Sequence, residues 1–453
     1  MTGEQHRKLY SHLFPGDGLE AAAVLLCRDA ALRESKLMVV EVTLVPHDQC
    51  RRTPFLLVWP GQFIADAINR AEDAGLSIIL LHSHPGSFRD FSDLDDQSDG
   101  EVIGSIFAGW GGNAVRAGHG SAVMMPDGEI IARLYDDQHH CRPIDVVNVV
   151  GEDIKFWWRT GEDGQAPMAF GAGMTHSLGQ LHACIIGVSG TGSIVAEQLA
   201  RMGFGKISLV DHDRVEAKNL NRILNSTRED ASQNMLKVEM FAKAISTFRE
   251  DIVVKTCPMT IARREAVLMA ADADVIFCCV DSSEGRHIAD RIAQAFMMPL
   301  FDVGVTIPTR ALSDGSRAVA EVVGRVDYVR PGGSTLGDRA VYTGASLRAE
   351  YLARVAPETH AAELEAGYIK GAAEEAPSVI ALNMRAASAV VLEFIARVFP
   401  FRHDGNATMA RTVFMLADGD EDRFPEGDFD RSGILAVGVG AIEPLLGLPD
   451  LGA

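Results

Sequence analysis

Short apolar runs that alternate with glycine turns and amphipathic segments predict an α/β protein. In the stretch 183–222, the apolar run Cys184–Ile186 leads into a turn that contains Gly187, Gly190 and Gly192. A segment with apolar residues at helical spacing follows this turn, and a second apolar run comes after it. This order predicts a strand, a turn, a helix and a strand, which is the first βαβ unit of a parallel sheet.

The glycine turn and the residue that ends the second strand predict a nucleotide site. Glycines let the backbone approach a phosphate, and the following helix N-terminus supplies N–H groups and a positive dipole end. Asp211 ends the run Ile207–Val210, where a carboxylate can accept a hydrogen bond from a ribose hydroxyl. Because Ser189 stands where a dinucleotide motif has its second glycine, the turn alone does not separate a dehydrogenase from an ATP-cleaving enzyme.

Further elements are predicted on both sides of this unit. The hydrophobic pattern predicts strands at Gly18–Cys27, Leu37–Val45 and Leu76–Leu81, and helices at Pro60–Ala74 and Ala376–Phe394. The strand that ends at Leu81 runs directly into the sequence H-S-H-P, so polar side chains that can bind a metal follow a buried strand. The N-terminal region, residues 1–150, is therefore expected to carry chemistry of its own.

A set of zinc-ligand side chains follows this strand. His82 and His84 are two residues apart, which places both imidazoles on one side of a strand end, and Asp95 returns from the following turn. Two histidines and one carboxylate leave a fourth position for water, which is typical of hydrolytic zinc sites. The alternative is that the histidines are buried while Ser92 and Asp95 cap the next helix.

The segment H-S-H-P-G-S-F-R-D-F-S-D resembles the H-x-H-x7-S-x-x-D motif of the JAMM metalloproteases, which are JAB/MPN domains. The resemblance implies a cytidine-deaminase-like α/β domain that cleaves the bond after the C-terminal glycine of a ubiquitin-like protein. It implies zinc ligands and an oxyanion-stabilising hydroxyl at His82, His84, Asp95 and Ser92. It also implies a glutamate general base from an upstream strand, for which Glu20 is the first candidate and Glu41 the second.

Residues 211–222 read D-H-D-R-V-E-A-K-N-L-N-R and resemble the D-x-D-x-V-x-x-x-N-L-x-R signature of the ThiF/MoeB family. These adenylyltransferases are related to ubiquitin-activating enzymes, and the resemblance implies a Rossmann-like domain with a mixed sheet that binds ATP and Mg²⁺. Asn and Arg at these positions suit a reaction in which charge builds on the α-phosphate and on pyrophosphate. The alternative is a solvated polar loop after a strand. Besides the three glycines, the implied cofactor-binding residues are Asp211, Asn219, Arg222, Lys237 and Asp281.

Three of these residues have more specific predicted roles. Asp281 ends the apolar run Ala273–Val280, where a carboxylate is placed to hold Mg²⁺ on the phosphates, and Arg222 is expected to act in catalysis. Lys237 opens a predicted helix, and the family places a lysine there that reaches the triphosphate; the alternative is a surface lysine.

The chain departs from the activating-enzyme pattern at the transfer cysteine. No cysteine follows Cys279, and residues 331–338 read P-G-G-S-T-L-G-D where related enzymes have P-G-x-x-C-L. Three explanations stay open: an external nucleophile takes the acyl group, a hydroxyl of Ser334 or Thr335 takes it as an oxyester, or the nucleophile has been substituted. An ordinary glycine-rich loop is the fourth interpretation, because a hydroxyl is a weak nucleophile without a nearby base.

Charge and composition exclude several classes of protein. The chain has 42 Lys and Arg against 62 Asp and Glu, and this net charge of −20 disfavours nucleic acid and anionic membranes as partners. No apolar run approaches the roughly 18 residues of a membrane-spanning helix, and we expect a cytoplasmic protein. Seven cysteines without regular spacing predict no disulfide framework.

We therefore expect a JAB/MPN zinc deconjugase domain at 1–150, a linker at 151–182 and a ThiF-type adenylation domain at 183–453. Such a chain resembles the fused activating-enzyme and deconjugase proteins of bacterial ubiquitin-like operons. The resemblance implies a small β-grasp ubiquitin-like partner, a conjugating enzyme and a homodimer. Two alternatives stay open: a sulfur-carrier activating enzyme for cofactor or cysteine-type biosynthesis, and a module that binds a ubiquitin-like tail with one inactive site.

Overall fold

The computed structural model describes residues 1–33, 35–86, 88–113, 115–159, 167–365 and 379–452. The chain divides into two compact units. The first unit comprises Met1–Ala166, Ala295–Met297 and Ala436–Ile442, and the second comprises Pro167–Gln294, Met298–Leu435 and Glu443–Ala453. The boundary expected at residue 150 falls inside a β-hairpin, because the strands Val146–Val150 and Ile154–Trp158 pair with each other.

The first unit is built around a mixed sheet. Its elements are α1 (Gly3–Leu13), β1 (Ala22–Asp29), β2 (Leu37–Leu44), β3 (Arg51–Arg52), β4 (Leu57–Val58), α2 (Gln62–Ala74), β5 (Ser77–Ser83), α3 (Asp93–Gly109), β6 (His119–Met124), β7 (Ile130–Tyr135), β8 (Cys141–Pro143), β9 (Val146–Val150) and β10 (Ile154–Trp158). The sheet has the order β2-β1-β5-β6-β7-β8. β5 and β6 run parallel, and the other neighbours run antiparallel. The strands and helix predicted in this region correspond to β1, β2, β5 and α2.

Both faces of this sheet are buried, which explains the continuous apolar runs of β1 and β5. Ile79 and Leu81 face the cluster that contains Leu9 and Leu13 of α1. Side chains of opposite parity, such as Ile78, face α2 and α3. The end of β5 is thereby fixed from both sides, and His82 is its second-last residue.

The second unit contains the larger sheet. Its elements are α4 (Ala172–Leu178), β11 (His182–Ile186), α5 (Gly190–Met202), β12 (Lys206–Val210), α6 (Arg228–Ser232), α7 (Lys237–Ser246), β13 (Val253–Cys257), α8 (Arg264–Ala271), β14 (Val275–Cys278), α9 (Ser283–Ala295), β15 (Leu300–Thr306), β16 (Thr309–Ala311), β17 (Arg317–Val319), β18 (Val323–Val329), α10 (Gly344–Val355), α11 (Pro357–Glu365), α12 (Ile380–Val398), β19 (Arg411–Met415) and β20 (Asp420–Phe424). The strand order is β13-β12-β11-β14-β15-β18-β19-β20. The first five strands in this order are parallel, and the last three add antiparallel neighbours.

This order creates a topological switch point between β11 and β14. From β11 the chain adds β12 and β13 on one side, and it then returns to add β14 and β15 on the other. Ligand crevices in such sheets lie at the carboxyl ends of the strands that flank this point. The Rossmann-like mixed α/β prediction is confirmed for the second unit, and the JAB/MPN fold of the first stays a prediction.

Two other predicted segments differ in detail. The described part of the predicted linker 151–182 contains β10 and α4. α12 begins at Ile380, and residues 376–378 of the helix predicted at Ala376–Phe394 lie outside the described residues. Within the ranges that the structure describes, no helix is long and apolar enough to cross a bilayer.

Candidate functional sites

The three predicted zinc ligands meet at the end of β5. The Nε2 atoms of His82 and His84 are 3.2 Å apart. Asp95 Oδ1 lies 3.1 Å from His82 Nε2, and Asp95 Oδ2 lies 3.4 Å from His84 Nε2. Ligand atoms placed about 2.0–2.1 Å from one tetrahedral zinc ion are separated by roughly 3.3 Å. The two imidazole nitrogens have this separation, and one ligand atom from each of the three residues lies within 4.8 Å of the others, so the donor set fits a single zinc ion.

The capping interpretation of Ser92 and Asp95 also holds, and it involves the same atoms. α3 begins directly after Ser92, whose Oγ accepts a hydrogen bond from Asp95 N at 3.2 Å. In return, Asp95 Oδ2 accepts hydrogen bonds from Ser92 N at 2.6 Å and from Ser92 Oγ at 2.7 Å. The capping box therefore orients the carboxylate toward the imidazoles, as outer-shell partners of metal ligands do. The predicted oxyanion role of Ser92 requires its hydroxyl to exchange this hydrogen bond.

Charge interactions keep the Asp95 carboxylate ionised. Burial opposes ionisation, but the hydrogen bonds from His82 and His84 outweigh it and hold the pKa of Asp95 well below its usual range. For His84, burial lowers the pKa, and the hydrogen bond with Asp95 more than reverses this, so the pKa is raised. Even without an ion, the site has the charge of a carboxylate ligand in place.

Of the two candidate bases, Glu20 shares this site. It lies two residues before the start of β1, and Ala22 pairs with His82 in the β1–β5 register. Glu20 is buried; burial raises its pKa, and the charges of His82 and His84 partly counter that rise. The register instead pairs Glu41 with Leu26. Leu26 is four positions after Ala22 in β1, a distance of about 13 Å along the strand.

The β3 strand and the residue after it hold Glu20 in place. Its backbone N–H donates to Thr53 O at 3.0 Å, and its carbonyl accepts a hydrogen bond from Arg52 Nε at 2.6 Å. Glu41 forms an ion pair with Arg70 on the surface. The two glutamates, which the sequence left as competing candidates, therefore lie in different surroundings.

In the second unit, the glycine turn lies against the end of β14. Gly187 has φ +88°, and a Cβ there would lie 3.0 Å from the carbonyl oxygen of Cys279. A Cβ at Gly192 would collide with the carbonyl oxygen of Gly187. Asp211 ties the same turn to the end of β12, because its Oδ2 accepts a hydrogen bond from Val188 N at 2.7 Å. The structure thus brings the turn and two strand ends together at the switch point.

Arg222 lies beside the N-terminus of α5. A Cβ at Gly190 would be 3.3 Å from Arg222 Cδ, and it would collide with Asn383 Nδ2 of α12. Arg222 Nη1 donates to the Lys218 carbonyl at 3.0 Å and to Asn221 Oδ1 at 3.2 Å. The first N–H groups of a helix have no intrahelical acceptor, so this end of α5 offers donors and a nearby cation to an anion.

Asn383 is a buried polar residue beside the glycine turn that the sequence motifs did not single out. It lies on the buried face of α12, directly beside the first residue of α5. The signal was an asparagine on the apolar side of a predicted amphipathic helix, because buried polar side chains have to find a partner or a ligand.

Asn219 and Lys237 are buried and have protein partners. Asn219 Oδ1 accepts a hydrogen bond from Glu216 N at 3.0 Å, which closes the turn that follows β12. Lys237 Nζ donates to Asp213 Oδ2 at 2.7 Å. Burial opposes ionisation of Asp213, but Lys237 outweighs it and lowers the pKa of that carboxyl. The Lys237 ammonium has three donors, and Asp213 accepts from one of them.

Asp281 carries a carboxylate that interacts electrostatically with Arg286. It is exposed after β14, and its side chain accepts no hydrogen bond from the residues that the structure describes. Its carbonyl oxygen accepts a hydrogen bond from Arg286 Nη1 at 3.3 Å, so the backbone is held while the side chain is available. A carboxylate oxygen at the switch point is the ligand type that Mg²⁺ prefers, and the position fits this ion.

The Ser334–Thr335 loop is buried, and both of its hydroxyls have partners. Ser334 is fully buried, and its Oγ accepts a hydrogen bond from Arg339 Nε at 2.9 Å. Thr335 Oγ1 accepts one from Asp338 N at 3.0 Å, and Thr335 N donates to Asp338 Oδ2 at 2.9 Å. In this conformation the loop is an ordered structural turn, as the glycine-rich-loop interpretation expects.

Known proteins resemble part of the second unit. Residues 163–328 match the model of the ThiF family. The segment is 29% identical over 160 residues to ubiquitin-like modifier-activating enzyme 5 of Drosophila grimshawi, covering 33% of this chain and 36% of that protein. For the Aedes aegypti enzyme of the same name, identity is 28% over 165 residues, covering 34% and 38%. The chain spans little more than a third of the length of these curated relatives.

Solved structures give weaker similarities. A structure of E. coli MccB with ATP is 17% identical with a TM-score of 0.42, covering 58% of this chain and 68% of that chain. A structure of PaaA is 18% identical with a TM-score of 0.39, covering 57% and 67%. The family-model match and the activating-enzyme relatives together support a ThiF-type domain in this part of the chain.

Proposed function

We propose that the second unit adenylates the C-terminal carboxylate of a ubiquitin-like protein with Mg·ATP. Three features near the switch point carry this proposal: the glycine turn, Arg222 and the exposed Asp281 carboxylate. The names of the relatives, ubiquitin-like modifier-activating enzymes, support the substrate class.

Each residue has a distinct task in this reaction. The free N–H groups at the start of α5 and the Arg222 guanidinium bind phosphate oxygens and offset the charge that develops there. Asp211, which fixes the glycine turn, is at the strand end where a ribose hydroxyl can donate to a carboxylate. Asp281 holds Mg²⁺, which neutralises phosphate charge when bound.

The proposal is tested by ATP–pyrophosphate exchange. Labelled pyrophosphate enters ATP only if the enzyme forms an acyl-adenylate reversibly, so exchange should appear when a β-grasp protein that ends in Gly-Gly is added. The same protein lacking its terminal glycine is the control and should support none. If no ubiquitin-like protein supports exchange, the adenylation proposal is wrong.

We further propose that the adenylate passes directly to an external nucleophile. The burial of Ser334 and the hydrogen bonds of both hydroxyls favour this route over an oxyester, because transfer requires a nucleophile close to the adenylate. A conjugating enzyme and a homodimer stay predictions.

The oxyester alternative has a direct test. We expect intact-mass analysis with Mg·ATP and the ubiquitin-like protein to show no covalent adduct on the chain. An adduct that survives thiol, is cut by mild base and disappears in the Ser334→Ala, Thr335→Ala double variant would establish the oxyester instead.

For the first unit we propose a zinc-dependent isopeptidase that cleaves precursors or conjugates of the same ubiquitin-like protein. His82, His84 and Asp95 would hold the ion, and zinc lowers the pKa of a bound water to about 7 when present. Glu20, which is buried beside the imidazoles, accepts the water proton and returns it to the leaving amine. The convergence of the three ligand atoms supports this proposal.

Metal analysis tests the zinc site apart from activity. Protein purified without added zinc should contain about one equivalent, as expected for three protein ligands around one ion. The His84→Ala variant should lose most of it, whereas His140→Ala, which removes an exposed histidine elsewhere in the unit, should retain it. Equal zinc content in the two variants would place the metal elsewhere.

A further inference from the structure

A fully buried carboxylate lies one strand away from the Asp281 segment. Asp302 is in β15, where it pairs in register with Cys278 of β14. Its Oδ1 accepts a hydrogen bond from Arg286 Nε at 3.3 Å, and its Oδ2 accepts one from Arg325 Nη2 at 2.6 Å. Burial opposes ionisation, but the charges of the two arginines outweigh it and lower the pKa of Asp302.

Such a buried ion pair is poor support for stability alone. Desolvation offsets most of the attraction, and well-packed apolar residues often replace buried pairs without loss. We therefore ask which side chain the ionised Asp302 carboxylate holds in position. The candidate is Arg286, the fourth residue of α9, because it contacts both Asp302 and the backbone of Asp281.

We propose that Asp302 is a positioning residue for the magnesium carboxylate. It holds the Arg286 guanidinium, whose Nη1 donates to the Asp281 carbonyl, and this contact fixes the backbone from which the Asp281 side chain projects. The proposal rests on the assignment of Asp281 to Mg²⁺. Asp302 itself touches neither nucleotide nor metal; it acts through Arg286, as outer-shell residues act on metal ligands.

The residues that follow Asp281 are anchored independently. The Glu350 carboxylate of α10 accepts hydrogen bonds from Ser283 N at 2.6 Å and from Glu284 N at 2.9 Å. Glu350 thus holds the first turn of α9, while Arg286 holds the residue at the strand end. Loss of Asp302 should therefore loosen Asp281 without releasing the whole helix start.

The test compares two buried carboxylates that each lie between two arginines. Asp302→Asn removes the charge opposite Arg286 and Arg325. The matched control, Glu393→Gln, removes the charge opposite Arg397 and Arg402 on and after α12. Both variants are expected to lower thermal stability, since each removes a buried charge that faces two arginines. Only Asp302→Asn should alter the Asp281 segment.

Two measurements separate positioning from stability. In the ligand-free protein, amide hydrogen exchange of residues 281 and 282 should become faster in Asp302→Asn, whereas Ser283 and Glu284, whose amides are held by Glu350, should not change. The whole segment should stay unchanged in Glu393→Gln. In calorimetry with a non-hydrolysable ATP analogue, the Mg²⁺ concentration for half-maximal binding should rise about tenfold in Asp302→Asn alone. Unchanged values in folded Asp302→Asn, or equal changes in both variants, would overturn the proposal.

A second variant tests the proposal if Asp302→Asn does not fold. Arg286→Lys keeps a cation near Asp302, but one ammonium group cannot span from that carboxylate to the Asp281 carbonyl as the planar guanidinium does. It should give the same two changes, and normal behaviour would overturn the proposal. A failure of this proposal can be distinguished from a failure of the proposed function. Absence of pyrophosphate exchange in the wild type would reject adenylation, whereas amide hydrogen exchange would still report on the role of Asp302.

Discussion

Asp281→Ala is expected to abolish ATP–pyrophosphate exchange while the protein stays folded. The carboxylate is exposed and, among the described residues, accepts no hydrogen bond, so its removal leaves no buried donor unsatisfied. What is lost is the protein ligand of Mg²⁺, and with it the neutralisation of phosphate charge. Exchange rates and thermal unfolding of the same preparation check both parts of this expectation.

Arg222 provides the companion to this prediction. Its replacement by alanine should slow exchange about a hundredfold or more, by analogy with the roughly 3 kcal/mol supplied by single donors to a developing oxyanion. Lys218→Ala is the matched control, because this exposed cation of the same loop pairs with Glu216. Normal exchange in both Asp281→Ala and Arg222→Ala would contradict the adenylation mechanism.

Glu20→Gln should keep the zinc and lose cleavage of ubiquitin-like conjugates. The amide occupies nearly the same volume, so the three metal ligands are undisturbed, but it cannot accept a proton as the carboxylate does. General acid–base groups contribute about a hundredfold to ten-thousandfold, and the loss should fall in this range. Zinc content by mass spectrometry and cleavage of a linear fusion measure the two properties separately.

Glu41→Gln is the control for this experiment. Glu41 forms a surface ion pair with Arg70, and such pairs contribute little to stability. Cleavage should therefore be normal in this variant. If Glu41→Gln lost activity and Glu20→Gln retained it, the assignment of the base would be reversed.

The convergence of His82, His84 and Asp95 could be predicted from the sequence because these residues are close in the chain. His82, His84 and Asp95 span one strand end and one turn, and local geometry is enough to bring them together. The choice between Glu20 and Glu41 required the pairing of β1 with β2 and β5, and register depends on packing across the whole sheet.

Contacts between segments that are distant in the chain could not be predicted from the sequence. The apolar run of β15 gave no indication that Asp302 would lie between Arg286 and Arg325, since these residues belong to a helix and to another strand. The burial of Ser334 likewise depends on Arg339, whose guanidinium also binds Asp327 and Glu426. Tertiary ion pairs of this kind have no periodic signature in the chain.

The capping box at the start of α3 has a thermodynamic consequence. Because Asp95 closes the first turn of α3 and is also a proposed zinc ligand, metal binding and the folding of this helix would be linked equilibria. An ion whose free concentration is a hundred times its dissociation constant stabilises the folded state that binds it by about 2.7 kcal/mol. Removal of the metal by a chelator should therefore loosen the N-terminus of α3. Any change that frays this turn should weaken metal binding by the same free energy.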